Sequence, residues 1–367
     1  MKKTLPHRAV ALHPRPSNVL DHLGVLAAIL EIPLIVSDDK TLEIASSFYP
    51  QVKTTLMEER ELSLEYLASN FDILFVSSKL WAIELVQLFP LFCQKKMRIV
   101  YCPHGNSDKG HTLTKELHNP EDISLVYGDH MLDLLKDTGM FDKIHQTIAT
   151  GNYRYSFFVE HQKFYQELAH SRIFSKLDKR KKTIFYAPTW DCQENPSSFF
   201  NECASLIDQI TQPFNLLIKL HPYLYEQHPA KTILICEKYK DHPQVLFLED
   251  FPPIYPLLSM SDAYLGDFSS IGYDFLRFNK PMYFFNPAKT DLKNDRGRFL
   301  HRCGMEISTK GKENVFDFIA RTFEENQSQF YQIRKEIDSY AFGKEKNLSD
   351  VRDDIFLNGI FAGKESS

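Results

Sequence analysis

The stretch DAYLGDFSSIGYDFLRFNKPMYFF, Asp262–Phe285, sets two short apolar runs, AYLG and PMYFF, around one helix-like run, IGYDFLRFN. Apolar strands without polar alternation are buried on both faces, and strands joined through a helix run parallel. The stretch therefore predicts a strand–helix–strand unit of an α/β sheet. Outward from it, QVLFLED (from Gln244), NLLIKLHP (from Asn215) and KTIFYAPTW (from Lys182) repeat the pattern. Toward the N-terminus the strand candidates are RAVALHP (from Arg8), IPLIVSD (from Ile32), DILFVSS (from Asp72), RIVYCPHG (from Arg98), ISLVYGD (from Ile123) and QTIATGN (from Gln146). Helical patterns such as NVLDHLGVLAAILE and LWAIELVQLFPLF lie between them.

The strand rhythm stops between about Tyr153 and Lys182, where the chain is charged and helical, and it stops again from about Glu313. The expected organisation is an N-terminal α/β acceptor-side domain over 1–155 and a helical connection over 156–181. A C-terminal α/β nucleotide-donor domain follows over 182–330, then helices and a tail over 331–367. Two doubly wound parallel-sheet domains would face a central cleft, with ligands at the carboxyl ends of the strands.

The bulk numbers narrow the partners. The chain has 367 residues, 43% hydrophobic and 25% charged, with a net charge of −5, which offers no electrostatic footprint for nucleic acid. Six cysteines lie scattered without metal-ligand spacing and read as reduced thiols. No run approaches the roughly 18 apolar residues of a membrane span, and the charged N-terminus lacks a signal-peptide core. A cytoplasmic protein is expected. The basic run KLDKRKK (Lys176–Lys182) reads as a solvated linker or surface, with peripheral contact to anionic headgroups at the inner face of the membrane as the other reading.

Polar residues gather where the strands end. Asp267, Ser269 and Ser270 stand at the mouth of a helix and are expected at the donor's diphosphate, where the serines would cap free N–H groups or add donors for it. His104 and Gly105 follow RIVYC, with Lys109 beyond them; a histidine there serves as a general base or as a loop hydrogen-bonder. His221 ends the run NLLIKL, with Lys219 two residues before it. Thr189 follows KTIFYA and could donate to a phosphate or cap the next segment. Gly151 and Arg154 follow QTIAT, and Arg154 suits a phosphate fork or a bridge between domains. There is no GxxxxGK[ST], GxGxxG after the first strand, HExxH or GxSxG, which disfavours P-loop kinases, dinucleotide dehydrogenases, zinc proteases and typical lipases.

The HG element with Lys109, YAPTW, KLHP and the opening stretch, in that order, resemble the CDP-glycerol glycerophosphotransferase family of teichoic-acid primases and polymerases. The resemblance spans roughly Arg98 to Pro287 and implies a GT-B fold. It implies that His104 and His221 are the catalytic pair. It places Thr189, Ser269 and Ser270 on the nucleotide diphosphate and maps the family's Gly-x-x-Arg onto Gly151 and Arg154. Asp191 stands where the family usually has Arg, and Ser156 where it usually has Asp.

The implied reaction moves a glycerol-phosphate-type group from a CDP-linked donor to a cell-envelope glycan or lipid-linked acceptor. His104 would deprotonate the acceptor hydroxyl, and His221 with Lys219 would stabilise charge on the leaving nucleotide. No cofactor or metal is expected. The rival readings are a GT-B glycosyltransferase or UDP-sugar epimerase, in which Asp274 would grip sugar hydroxyls, and a non-catalytic nucleotide-sugar-binding protein of the same fold.

Overall fold

The computed structural model describes residues 8–13, 19–77, 87–106, 123–190, 196–286, 296–307 and 313–360. They divide into two units. One holds the described residues up to Glu160 together with those from Tyr340 onward, and the other runs from His161 to Ser339.

The first unit is built on a seven-stranded parallel sheet. Its strands are β1 (Ala9–His13), β2 (Leu34–Val36), β3 (Thr54–Leu56), β4 (Ile73–Val76), β5 (Arg98–Tyr101), β6 (Ile123–Val126) and β7 (Gln146–Ala149). The order across the sheet is β3-β2-β1-β4-β5-β6-β7. The central strands are apolar throughout because helices cover both faces, and Val10, Leu74, Phe75, Val76 and Val100 are wholly buried. Each such side chain contributes about 1.5–3 kcal/mol. The edge strand β3 was not legible in the sequence: its residues, Thr-Thr-Leu, are largely exposed and form no apolar run.

The second unit repeats the plan in six parallel strands: β8 (Lys182–Ala187), β9 (Phe214–Ile218), β10 (Val245–Phe247), β11 (Ala263–Gly266), β12 (Met282–Phe284) and β13 (Met305–Glu306). Their order is β10-β9-β8-β11-β12-β13. The opening stretch is thus β11, the helix Ser270–Phe275 and β12, paired in parallel. The two-residue edge strand β13 is too short to show in sequence.

In each sheet the chain starts at the centre, winds outward, then returns beside its first strand and winds the other way. The reversal falls between β1 and β4 in the first unit and between β8 and β11 in the second. Loops diverge at such a point, which makes it the place where open α/β sheets bind ligands. Residues of both loops at the reversal in the first unit, 14–18 and 78–86, lie outside the described residues.

Two boundaries differ from the sequence expectation. The helical connection does not stand apart: helix Tyr153–Glu160 belongs to the first unit and helix Gln162–Arg172 to the second. The C-terminal helices are also divided, because the segment from Tyr340 re-enters the first unit. There Tyr340 Oη donates to Asp133 Oδ2 at 2.9 Å, Gln146 Nε2 to the Gly359 carbonyl at 3.1 Å, and Phe356 packs edge-on to Phe75.

Candidate functional site

In the second unit, Gly266 is paired in register with Ala187, so Pro188–Trp190 and Asp267–Ser270 leave the sheet side by side at the reversal. Only glycine fits there: a Cβ on Gly266 would stand 2.6 Å from the Ala187 carbonyl oxygen and 2.7 Å from the Tyr264 hydroxyl. Asp267, fully buried, ties the two loops together. Its Oδ2 accepts the backbone N–H of Thr189 at 2.9 Å and of Ser198 at 3.0 Å. The sequence placed Asp267 on a diphosphate; the structure turns its carboxylate toward the backbone of the neighbouring loop. Thr189 is likewise buried, its carbonyl accepting Ser197 Oγ at 2.6 Å.

Ser269 begins helix Ser270–Phe275 in extended geometry, but its hydroxyl does not cap the helix. Tyr264 Oη gives its proton to the Asp267 carbonyl at 3.1 Å, so Ser269 Oγ, 3.1 Å away, donates to the phenol oxygen. Burial holds the Tyr264 phenol protonated by pushing its pKa up. Ser269 and Ser270 are half-buried at the reversal, and the Ser269 side chain makes no cap hydrogen bond.

One strand over, Lys219 and His221 follow β9. Lys219 Nζ donates to the Phe251 carbonyl at 3.1 Å. His221 caps helix Pro222–Gln227, with Pro222 at its first position: Nδ1 accepts the Tyr223 N–H at 3.2 Å. An accepting Nδ1 carries no proton, so the neutral ring presents Nε2–H as a donor. Trp190 and Tyr223 surround this ring, at 6.5 and 5.2 Å between centroids, and meet each other edge-on at 5.8 Å. The sequence reading gave neither aromatic residue a role; their grouping needs the neighbouring ends of β8 and β9. Asp274, weighed for sugar hydroxyls, is instead interior and accepts the Tyr255 hydroxyl at 2.8 Å.

In the first unit, His104 is exposed in the turn after β5, followed by Gly105 at φ +123°, a backbone region that favours glycine. Lys109 and Asp191 lie outside the described residues. Gly151, at φ +66°, turns the chain from β7 into helix Tyr153–Glu160, where Asn152 Oδ1 accepts the Tyr155 N–H.

Arg154 departs from its expected role. It is 3% exposed, and its Nη1 pairs with Asp21 Oδ2 at 2.9 Å; Asp21 Oδ1 accepts the Tyr49 hydroxyl at 3.0 Å. The guanidinium is held inside this unit instead of facing a phosphate. Ser156 Oγ donates to the Lys346 carbonyl at 2.7 Å.

Beside this pair lies His22, which sequence reading missed because it looked like one more residue of an apolar helix. Burial, then the Arg154 charge, then His104 hold its pKa well below the ordinary 6.5. Folded His22 is therefore neutral where the unfolded chain begins to take up a proton, below about pH 6.5. The unfolded state then binds more protons, so His22's contribution to stability is present above that pH and lost as the pH falls. Melting temperatures of the parent and His22→Asn, compared from pH 7.5 to 5.5, are expected to show the steeper acid loss in the parent.

Among the described residues, no group of three or more His, Cys, Asp or Glu is placed to hold a metal ion. None of their helices is long and apolar enough to cross a membrane.

Residues 101–344 match the family profile described as CDP-Glycerol:Poly(glycerophosphate) glycerophosphotransferase. The teichoic acid poly(ribitol-phosphate) polymerase of Bacillus spizizenii is 25% identical over 274 residues, covering 71% of this chain and 39% of that protein. The teichoic acid glycerol-phosphate primase of the same species is 31% identical over 128 residues, 34% of this chain and 31% of the primase. The chain thus spans well under half the length of these relatives. Among solved structures, the wall teichoic acid polymerase TagF superposes with a TM-score of 0.65 at 15% identity, covering 94% of this chain and 86% of TagF. The S. aureus MnaA–UDP structure gives 0.61 at 16%, covering 96% and 98%. At these identities the likeness shows a shared GT-B fold.

Proposed function

Because the chain belongs to the CDP-glycerol:poly(glycerophosphate) glycerophosphotransferase family, we propose that it moves a polyol-phosphate group from a CDP-linked donor to a hydroxyl of a cell-envelope glycan or lipid-linked acceptor. The observation that carries this reading is the family match over 101–344, which includes residues of both units and every site residue expected from the sequence.

In the proposed reaction the acceptor oxygen bonds to the phosphorus that bears the polyol. The bond from that phosphorus to the bridging oxygen breaks, and CMP departs with the electron pair. His104 takes the acceptor proton. His221 offers Nε2–H, the proton that its Nδ1 cap leaves available, to a phosphoryl oxygen. The half-buried Ser270 hydroxyl and the first-turn N–H groups would meet the donor's phosphates, and Ser269 would join them by turning its O–H away from Tyr264. The inward-turned Asp267 supports this by holding the Thr189 loop beside them. Such transfers depend chiefly on positioning and charge neutralisation. In this reading Lys219 supplies positive charge at the end of β9. The enzyme works without a cofactor or a resident metal, at the inner membrane surface where a lipid-linked acceptor is found.

Thermal unfolding with CDP-glycerol, CDP-ribitol, CDP, UDP-N-acetylglucosamine and UDP, each with and without EDTA, tests the donor. A ligand at about 100 times its Kd stabilises by about 2.7 kcal/mol. The expected result is a shift with a CDP-polyol that exceeds the shift with CDP, persists in EDTA and shrinks in Ser270→Ala. A shift confined to UDP ligands would move the chain to nucleotide-sugar chemistry.

A further inference from the structure

We infer that His22, Tyr127 and Asn106 are positioning residues that clamp the His104 turn from both sides. The inference rests on the reading of His104 as the base. His104 is exposed and sits between Pro103 and the positive-φ Gly105, so neither its own burial nor a regular element holds it. The residues on either side are anchored in the interior of the first unit.

On the N-terminal side, Tyr127 Oη donates to the Pro103 carbonyl at 3.0 Å. The Tyr127 ring is fixed: it stacks on Tyr153 at 5.7 Å and 11° and meets Phe342 edge-on at 5.8 Å. His22 Nδ1 lies 2.9 Å from the same phenol oxygen. A carbonyl only accepts, so the single phenol proton points to Pro103, and His22 must donate from Nδ1. The result is a one-way chain, His22 Nδ1–H to Tyr127 O–H to Pro103 C=O, ending one residue before His104. His22 can complete it as a neutral ring, in keeping with its burial.

On the C-terminal side, Asn106, 1% exposed, donates Nδ2 to the Ala341 carbonyl at 3.0 Å. Ala341 is itself held closely, since a Cβ on Gly128 would stand 2.8 Å from its carbonyl oxygen. The segment that re-enters the first unit at Tyr340 thus carries the second anchor. A base must lie within about 2.6–3.2 Å of the proton it removes. A misplacement of about 1 Å costs on the order of 100-fold in rate. Two hydrogen bonds of 3.0 Å on buried, packed groups give an exposed imidazole that placement.

The test uses the full chain in three variants: Tyr127→Phe, which deletes one hydroxyl; Asn106→Ala, which acts on the other side; and His104→Ala. Turnover of CDP-glycerol with a glycerol-phosphate-primed acceptor is followed, and activity is normalised to the folded fraction. The His104 ring is observed by NMR on protein labelled at histidine Cε1. Tyr127→Phe and Asn106→Ala are each expected to lower kcat by about 10- to 100-fold, with donor KM near the parent value and a shifted or broadened His104 resonance. In the His104→Ala background neither change should lower kcat further. An unchanged His104 resonance in both variants, or equal rate losses with and without His104, overturns the clamp. Parent-level kcat in His104→Ala alone overturns the base reading, and the resonance then judges the clamp by itself.

Discussion

His104→Ala is expected to lower kcat by about 10²–10⁴-fold, the span that a positioned proton acceptor contributes. Binding of CDP-glycerol, read by thermal shift, should stay near that of the parent. The residue is exposed at a strand end, so its truncation removes no core packing and leaves no buried group without a partner. A rate loss without a stability loss is therefore the signature of chemistry. The relevant control is His221→Ala, which also removes the cap on the Tyr223 N–H. That variant should lose rate together with some stability, since a lost cap costs about 0.5–2 kcal/mol. If His104→Ala keeps its rate, the acceptor proton goes elsewhere and the assignment of the base fails.

Arg154→Leu is expected to act oppositely, on stability. Its guanidinium and the Asp21 carboxylate are 3% and 7% exposed and 2.9 Å apart. Removing one member leaves the other charge buried, which costs about 3–5 kcal/mol. Denaturant unfolding should show a lower midpoint with an unchanged m-value. The double variant Arg154→Leu, Asp21→Leu should recover part of the loss, because no uncompensated charge remains. Arg154 as a phosphate ligand predicts instead a raised donor KM at near-parent stability, and that outcome would reverse the assignment made from burial.

These two residues show where sequence reading succeeds and where it stops. The place of His104, exposed just past β5, was legible because a histidine after an apolar strand is a local feature, and the strand places its end without reference to the rest of the chain. Arg154 was misjudged because Asp21, its partner, lies 133 positions away. A Gly-x-x-Arg pattern does not say which way its arginine turns. Asp267 is the same case at a separation of 78 from Thr189. Ser269 illustrates a subtler failure: serine before a helix predicts a cap, yet the hydroxyl is drawn to Tyr264 on the preceding strand. The edge strands β3 and β13 escaped notice because neither writes an apolar run: β3 is largely exposed and β13 is two residues long.

By itself, then, the sequence determined two doubly wound parallel sheets, the helices between their strands and the residues that stand at the strand ends. Burial periodicity and breakers act over a few neighbouring residues, so that information is local. The tertiary structure alone decided that Asp267 holds a loop, that Arg154 closes an internal ion pair, and that the segment from Tyr340 returns to anchor Asn106, 235 positions before its acceptor Ala341. Each of those outcomes depends on which distant group satisfies a buried charge or donor, and that choice exists only once the chain has folded around it.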